Sequence, residues 1–232
     1  MRMRVLTWVA AFWTAFGGVA AADGPVVVEL FTSQGCSSCP PADKILGELA
    51  KRDDIIALAL HVDYWDYIGW KDKFANPSFT KRQRAYAHAK GGRTIYTPQM
   101  IVAGQDHVVG TKPMELMRRI DAHADAAEKV RVSLTRRGNQ IEIVARPRGR
   151  LPSQIVVQLV TYIPEQTVQI RRGENAGRTL SYHNIVRDWI IVGNWNGQGE
   201  YRASLTVASG TPVAVLVQEA GAGPILGAAK SR

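Results

Sequence analysis

The stretch QGCSSCPPAD, residues 34–43, places the strongest constraint on how this chain of 232 residues can fold. It contains the chain's only two cysteines, Cys36 and Cys39, and two prolines follow at once. Because proline lacks an N–H, it suits the first turn of an α-helix and disrupts the helix interior. The sequence therefore predicts a helix that begins at Pro40 with Cys39 as its cap, and a preceding loop that carries Cys36.

Strand and helix patterns alternate around this stretch. The run VVVELF before the cysteines is typical of a buried strand, and ADKILGELAKR after them has apolar residues at helical spacing. A second strand, a second helix, a hairpin with a turn at Gly104 and a third helix follow. The order β–α–β–α–β–β–α predicts an α/β domain with a mixed sheet flanked by helices.

The pattern changes near residue 130. Short alternating strands, separated by Gly, Pro, Asn and Ser, continue from there towards the end of the chain. Such spacing is typical of an all-β sandwich. We therefore predict an α/β domain over residues 23–128 and an all-β, sandwich-like domain over residues 129–232.

The N-terminal residues have the pattern of a secretory signal peptide. Arg2 and Arg4 precede an uncharged apolar stretch, and a small-residue cleavage site follows at residues 20–22. We predict that residues 1–22 are the signal, and that the protein is periplasmic or secreted without stable membrane insertion after cleavage. An uncleaved anchor is the alternative, although the apolar stretch is short for a membrane span.

Charge and export narrow the class of partner. The chain has 29 Lys and Arg against 20 Asp and Glu, so its formal net charge is +9, or +7 without Arg2 and Arg4. The basic residues are scattered, and export argues against a nucleic-acid partner.

Export also allows disulfides to persist, but a Cys36–Cys39 disulfide closes a very short loop and stabilises little. We interpret the pair as a redox centre that needs no cofactor and reacts with a protein or small molecule carrying a thiol or disulfide.

The order of strand, C-x-x-C, helix, Thr-Pro, hairpin and final helix resembles the thioredoxin fold over roughly residues 24–127. The segments VELFTSQGCSSCPPAD and YTPQMIVAG carry this resemblance. Together with the ending PVAVLVQEAGAGPILGAAK, they are also similar to a family of secreted bacterial proteins of unknown function that have a thioredoxin-like domain. The family resemblance implies a fold and no assigned activity.

The three polar segments of the predicted α/β domain should meet at one edge of the sheet. Parallel strands end at the same edge, so the cysteines and the segment after the second strand lie together, and the Thr-Pro enters there too. On the thioredoxin resemblance, the thiolate of Cys36 attacks the substrate and Cys39 resolves the mixed disulfide. A cis bond between Thr97 and Pro98 would then present the backbone of Thr97 to an extended substrate.

Three further residues are candidates for contact with the substrate. Ser37 and Ser38, between the cysteines, supply hydroxyl and backbone donors. Trp65 belongs to the connection DYWDYIGWKDKF, whose aromatic side chains suit either a lid or peptide-docking surface, or part of the core.

Glu29 is a candidate proton acceptor for the buried thiol. Many thioredoxin-like proteins carry an acid on this strand six residues before the first cysteine, whereas Glu29 precedes Cys36 by seven. A shift of one residue moves a strand side chain to the other face, although a bulge or longer turn at residues 33–35 would restore it. The alternative role for Glu29 is that of a salt-bridged structural acid.

Two other functions stay open. Some exported thioredoxin-like proteins carry copper with two cysteines and a histidine, and soft thiolates suit Cu(I). The corresponding ligands here are Cys36, Cys39 and His61, but the C-x-x-C spacing is one residue shorter than in those copper carriers. The third possibility is a binding module that recognises a partner through its β-domain.

Overall fold

The structure is a computed structural model that describes residues 24–231. The predicted signal peptide, residues 1–22, lies outside this part of the chain. The described elements follow in the order β1 (Val26–Thr32), α1 (Pro40–Leu49), β2 (Ile55–His61), a 3₁₀ turn (Asp66–Ile68), α2 (Pro77–Ala89), β3 (Gln99–Val102), β4 (Asp106–Val109), α3 (Pro113–Ala124), β5 (Val130–Arg137), β6 (Gln140–Pro147), β7 (Ile155–Gln169), β8 (Thr179–Trp195), β9 (Tyr201–Thr206), β10 (Val213–Glu219) and β11 (Ile225–Ser231).

Eight of these strands form one mixed sheet in the order β11-β10-β7-β8-β2-β1-β3-β4. Strand β1 pairs in parallel with β2 and antiparallel with β3. On its other side β2 pairs in parallel with β8, where Ala59 lies opposite Ile185. Strand pairing therefore crosses the boundary predicted between residues 128 and 129, and the division into two domains stays a prediction.

The C-terminal strands differ from the predicted separate sandwich. Strands β7, β8, β10 and β11 extend the first sheet, and β5, β6 and β9 form a second, three-stranded sheet. Ile141 and Ile143 of the small sheet share one apolar cluster with Val157 and Val215 of the large sheet. Alternating sequence patterns identify strands but not their partners, and the free edge of β2 accepts β8 across a long sequence separation.

Helix α1 begins as the prolines predict. Cys39 is its N-cap and Pro40 is the first helical residue. The N–H groups of Ala42 and Asp43 donate to the carbonyl oxygen of Cys39 at 2.8 and 3.1 Å. Cys39 itself has helical angles, φ −79° and ψ −35°, a conformation that a following proline disfavours.

The two faces of strand β1 carry different neighbours because successive side chains of a strand alternate between the faces. Leu30 packs with Leu46 of α1 and Leu116 of α3 on one face. Phe31 packs with Phe79 of α2 on the other. The pairing of β1 with β2 runs in unbroken register from Val26 to Thr32, so it leaves no bulge that would exchange these faces.

None of the helices among residues 24–231 is both long enough and apolar enough to span a bilayer.

Candidate functional site

Cys36 and Cys39 form a disulfide at the N-terminus of α1. Their Cα atoms are 5.4 Å apart, and the Cys39 N–H donates to the Cys36 carbonyl oxygen at 3.2 Å across a tight turn. Both residues are buried, with exposed fractions of 1% for Cys36 and 0% for Cys39. The disulfide therefore lies at the edge of β1, beneath the protein surface.

The Thr-Pro segment lies beside the first turn of α1. The bond between Thr97 and Pro98 is cis, as predicted. A Cβ atom on Gly110 would lie 2.9 Å from the side chains of both Ala42 and Pro98, so these two side chains pack around the same point of the Gly110 backbone. The structure thus brings Pro98 next to the helix that carries Cys39.

Trp65 joins the same edge. Its indole N–H donates to the hydroxyl of Thr97 at 2.8 Å. Its Cβ lies 3.1 Å from the position that a Cβ would occupy on Gly35, the residue before Cys36. Trp65 and Thr97 are therefore hydrogen-bonded to each other near the cysteine loop, and their contact with a substrate stays a prediction.

A segment that the sequence did not implicate covers the cysteine loop. The tip of the β7–β8 hairpin places the side-chain amide of Asn175, which is 1% exposed, against the carbonyl oxygens of Gln34 and Cys36 at 3.0 and 2.9 Å. The backbone N–H of Ser37 donates to Glu174 at 3.2 Å. Ser37 and its neighbour Ser38 are the exposed part of the C-x-x-C turn.

Glu29 does not lie with the cysteines. It belongs to the face of β1 that packs on α2, where Arg82 donates to its carboxylate at 2.6 and 2.9 Å and the hydroxyl of Tyr86 donates at 2.6 Å. The side chain of Glu29 is fully buried in this cluster. The interval of seven residues to Cys36 thus places the Glu29 side chain on the face of the sheet opposite to α1, and no bulge restores it. The geometry matches the alternative role of a salt-bridged structural acid.

A buried polar cluster lies on the α1 face of the sheet instead. His61 ends β2 opposite Thr32, and its Nδ1 is 2.6 Å from the carboxylate of Asp72. The backbone N–H of Gln34 donates to the same Asp72 oxygen at 2.8 Å. Burial alone would raise the pKa of Asp72, but the His61 charge and the hydrogen bonds from His61, Gln34 and Phe74 lower it below the usual value.

Asp43, in the first turn of α1, completes this cluster and is only 6% exposed. Burial raises the pKa of Asp43 to about 7, although the nearby His61 and the hydroxyl of Thr32 act to lower it, and the Asp72 charge raises it further. An acid in the first turn of a helix is favourable even when it is exposed, and the sequence did not identify Asp43 as a site residue. Asp43 follows Cys39 by four residues, and this spacing in the sequence predicts that both side chains lie on one face of the helix.

Tyr182 of β8 closes the cluster from the hairpin side. Its ring packs edge-to-face on His61, with centroids 4.9 Å apart. Burial, followed by the charges of Asp43 and Asp72, raises the pKa of Tyr182 well above the usual value. In the described chain, four side-chain atoms of the cluster have no hydrogen-bond partner in the protein: Thr32 Oγ1, Asp43 Oδ2, His61 Nε2 and Tyr182 OH.

The predicted metal alternative finds no matching geometry. Within residues 24–231 there is no group of three or more His, Cys, Asp or Glu side chains arranged to hold a metal ion. The two cysteines are joined to each other, and His61 is hydrogen-bonded to Asp72. The structure therefore does not bring Cys36, Cys39 and His61 together as a ligand set.

Two solved structures resemble this one over 90% of its chain. A crystal structure of a protein from Agrobacterium tumefaciens has 36% sequence identity and a TM-score of 0.77, and 94% of that chain is covered. The HBP35 protein of Porphyromonas gingivalis has 14% identity and a TM-score of 0.66, with 75% of its chain covered, so it shares the fold alone. No curated protein matches the chain. The family model described as "Protein of unknown function (DUF1223)" matches residues 27–218, and the chain belongs to this family.

Proposed function

We propose that this chain is an exported thiol–disulfide oxidoreductase whose redox pair is Cys36 and Cys39. The observation that carries the proposal is the Cys36–Cys39 disulfide at the N-terminus of α1, in the same corner as the cis bond before Pro98. A disulfide that closes so short a loop adds little stability, whereas a helix N-terminus favours the thiolate that disulfide exchange requires.

The architecture around the pair supports a thioredoxin-like scaffold. Strands β2, β1, β3 and β4 are adjacent in that order, with β1 and β2 parallel and β3 antiparallel to β1. Helices α1 and α3 pack on one face of this part of the sheet, and α2 packs on the other. The C-terminal strands are an addition to that scaffold, because they extend it beyond β2.

The position of each cysteine indicates its role. When the protein oxidises a substrate, the thiolate of the substrate attacks Cys36, the Cys36–Cys39 bond breaks, and Cys39 leaves as a thiolate. Cys39 is the helix cap, so the dipole of α1 stabilises its thiolate and makes it the better leaving group. A second substrate thiolate then attacks the substrate sulfur of the mixed disulfide, and Cys36 is released.

The surroundings of the disulfide limit what can reach it. Cys36 is almost fully buried between the hairpin tip and the segment that contains Trp65, whereas Ser37 and Ser38 are exposed. This access favours a small thiol, or an extended peptide that lies along the cis-proline segment, over a folded protein surface. The proposal places the reaction in the periplasm or outside the cell, where the predicted signal peptide would deliver the chain and where disulfides persist.

The test is thiol–disulfide exchange by the purified protein. We expect the wild type to catalyse reduction of insulin by dithiothreitol, or oxidation of a reduced peptide, and Cys36→Ser to abolish this catalysis. Cys39→Ser should instead accumulate a mixed disulfide on Cys36, visible as a mass increase. Ser38→Ala, which changes only an exposed hydroxyl in the same turn, is the matched control. Equal inertness of wild type and Cys36→Ser towards thiols and disulfides would contradict the proposal.

A further inference from the structure

Asp43 lies where it can exchange a proton with Cys39. The two residues are four positions apart in one helical turn, and the Asp43 N–H donates to the Cys39 carbonyl oxygen at 3.1 Å. Side chains at this spacing lie on the same helical face, with Cβ atoms about 5–6 Å apart. Both residues are buried, Cys39 with an exposed fraction of 0% and Asp43 with 6%.

The groups facing Asp43 come from three other parts of the fold. His61 of β2, Asp72 of the following loop and Tyr182 of β8 interact with its carboxyl electrostatically, and the Thr32 hydroxyl of β1 lies beside it. Ordered water commonly satisfies buried polar atoms that have no protein partner, such as Asp43 Oδ2 and His61 Nε2 here. The cluster is thus suited to moving protons rather than to holding a rigid ion pair at Asp43.

A surface groove connects Asp43 with solvent. It runs between α1 and β8, and Asp43 lines it together with Lys44 and Glu48 of its own helix and with Arg178 and His183 of the hairpin. His183 is partly exposed and lies near Glu165. The charged residues of this groove complete the set of titratable groups around Asp43.

We propose that Asp43 is the proton acceptor and donor for Cys39, and that the groove between α1 and β8 is its path to solvent. This inference rests on the proposed redox function. When the protein reduces a substrate disulfide, the Cys39 thiol gives its proton to the Asp43 carboxylate, the Cys39 thiolate attacks Cys36 in the mixed disulfide, and the substrate leaves as a thiolate. When the protein oxidises substrate thiols, protonated Asp43 returns the proton to the Cys39 thiolate and is itself reprotonated through the groove.

Burial explains why Cys39 needs such a partner. A thiolate forming in an enclosed site is disfavoured by loss of water, so a nearby acceptor must take the proton as the sulfur attacks. A proton acceptor works best when its pKa lies near the working pH. The pKa of Asp43, at about 7, meets that condition, whereas an exposed aspartate does not.

The experiment separates the two cysteines by following the reaction of the reduced protein with one equivalent of 5,5′-dithiobis(2-nitrobenzoate). The first release of thionitrobenzoate reports attack by Cys36, and the second reports attack by Cys39 on the mixed disulfide. For the wild type we expect the second rate to rise with pH to a plateau, with a midpoint near 7. Asp43→Asn should leave the first release within about twofold of wild type and slow the second roughly a hundredfold at pH 7, at the lower end of the range for a positioned proton acceptor.

Two further variants distinguish proton transfer from a structural effect. Glu142→Gln removes one negative charge from the exposed surface of the small sheet, outside the groove, and should leave both rates unchanged. His61→Gln removes a positive influence that lowers the pKa of Asp43, so the midpoint of the second release should move to higher pH. A second release in Asp43→Asn with the wild-type rate and midpoint overturns the inference. Absence of any thionitrobenzoate release in the wild type overturns the redox function itself, so the two failures are distinguishable.

Discussion

Replacement of Glu29 by glutamine tests whether this buried acid is structural. The carboxylate accepts three short hydrogen bonds, two from Arg82 and one from Tyr86, and its side chain is fully buried, while that of Arg82 is only 13% exposed. Removing one partner of a buried ion pair costs roughly 3–5 kcal/mol. Because the amide keeps one acceptor oxygen, we expect Glu29→Gln to lose about 3 kcal/mol. For a chain of this size the loss corresponds to a fall in Tm of roughly 6–12 °C.

Thermal unfolding followed by circular dichroism measures this loss, and the two-phase thionitrobenzoate assay shows whether the redox chemistry changes. Glu142→Gln is the matched control, because Glu142 and its partner Arg202 are both largely exposed, and we expect its effect to stay below about 1 kcal/mol. In Glu29→Gln we expect both release rates to match wild type at a temperature where the variant is folded. A wild-type Tm combined with a slowed second release would contradict the structural role and would indicate that Glu29 is the proton acceptor for the buried thiol.

Two more predictions concern the packing and the titration of α1. Gly110→Ala would place a methyl group 2.9 Å from the side chains of Ala42 and Pro98. We therefore expect it to lower the free energy of unfolding by roughly 1–3 kcal/mol and to slow insulin reduction. Gly149→Ala, where a Cβ atom meets open space, is the control for both measurements. Folding raises the pKa of Asp43 from 3.8 to about 7, so between these values the native state holds a proton that the unfolded state has lost, and the stability contributed by this group falls as pH rises. Asp43→Asn should remove that fall, so we expect its free energy of unfolding to exceed that of wild type by on the order of 4 kcal/mol at pH 8 and to differ little at pH 4. Urea unfolding measures both values. Equal urea midpoints for wild type at the two pH values would contradict the burial argument.

The local features of the site could be predicted from the sequence because each has a short-range physical cause. Pro40 lacks an N–H and has a fixed φ, so it marks the helix start and leaves Cys39 as the cap. The cis bond before Pro98 followed from the resemblance to thioredoxin, since the residues around it alone favour an ordinary trans turn. Strand and helix order before residue 128 likewise follows from apolar periodicity and turn residues.

The position of the buried acid could not be predicted in the same way, because it depends on which faces of two elements are covered. Glu29 lies on the correct strand, but the unbroken register of β1 turns it towards α2. Asp43 lies on a helix whose first turn suits an acid even when that side chain is exposed, so its residue type carried no sign of burial. Only the packing of α1 against β2 and β8 shows that Asp43, on the helix capped by Cys39, is buried beside His61, whereas Glu29 lies on the α2 face of the sheet.

The hairpin formed by β7 and β8 explains why the site needs the C-terminal part of the chain. Its tip supplies Asn175, which binds the carbonyl oxygen of Cys36 across 139 positions of sequence, and its second strand supplies Tyr182 against His61. No periodicity or turn signal encodes contacts of that separation. The pairing of β8 with β2 nevertheless brings β8 alongside α1, where a Cβ atom on Gly47 would lie 2.8 Å from His183. The extension of the sheet therefore does more than bury an edge: it encloses the disulfide and surrounds Asp43, the two conditions under which a proton acceptor for Cys39 becomes necessary.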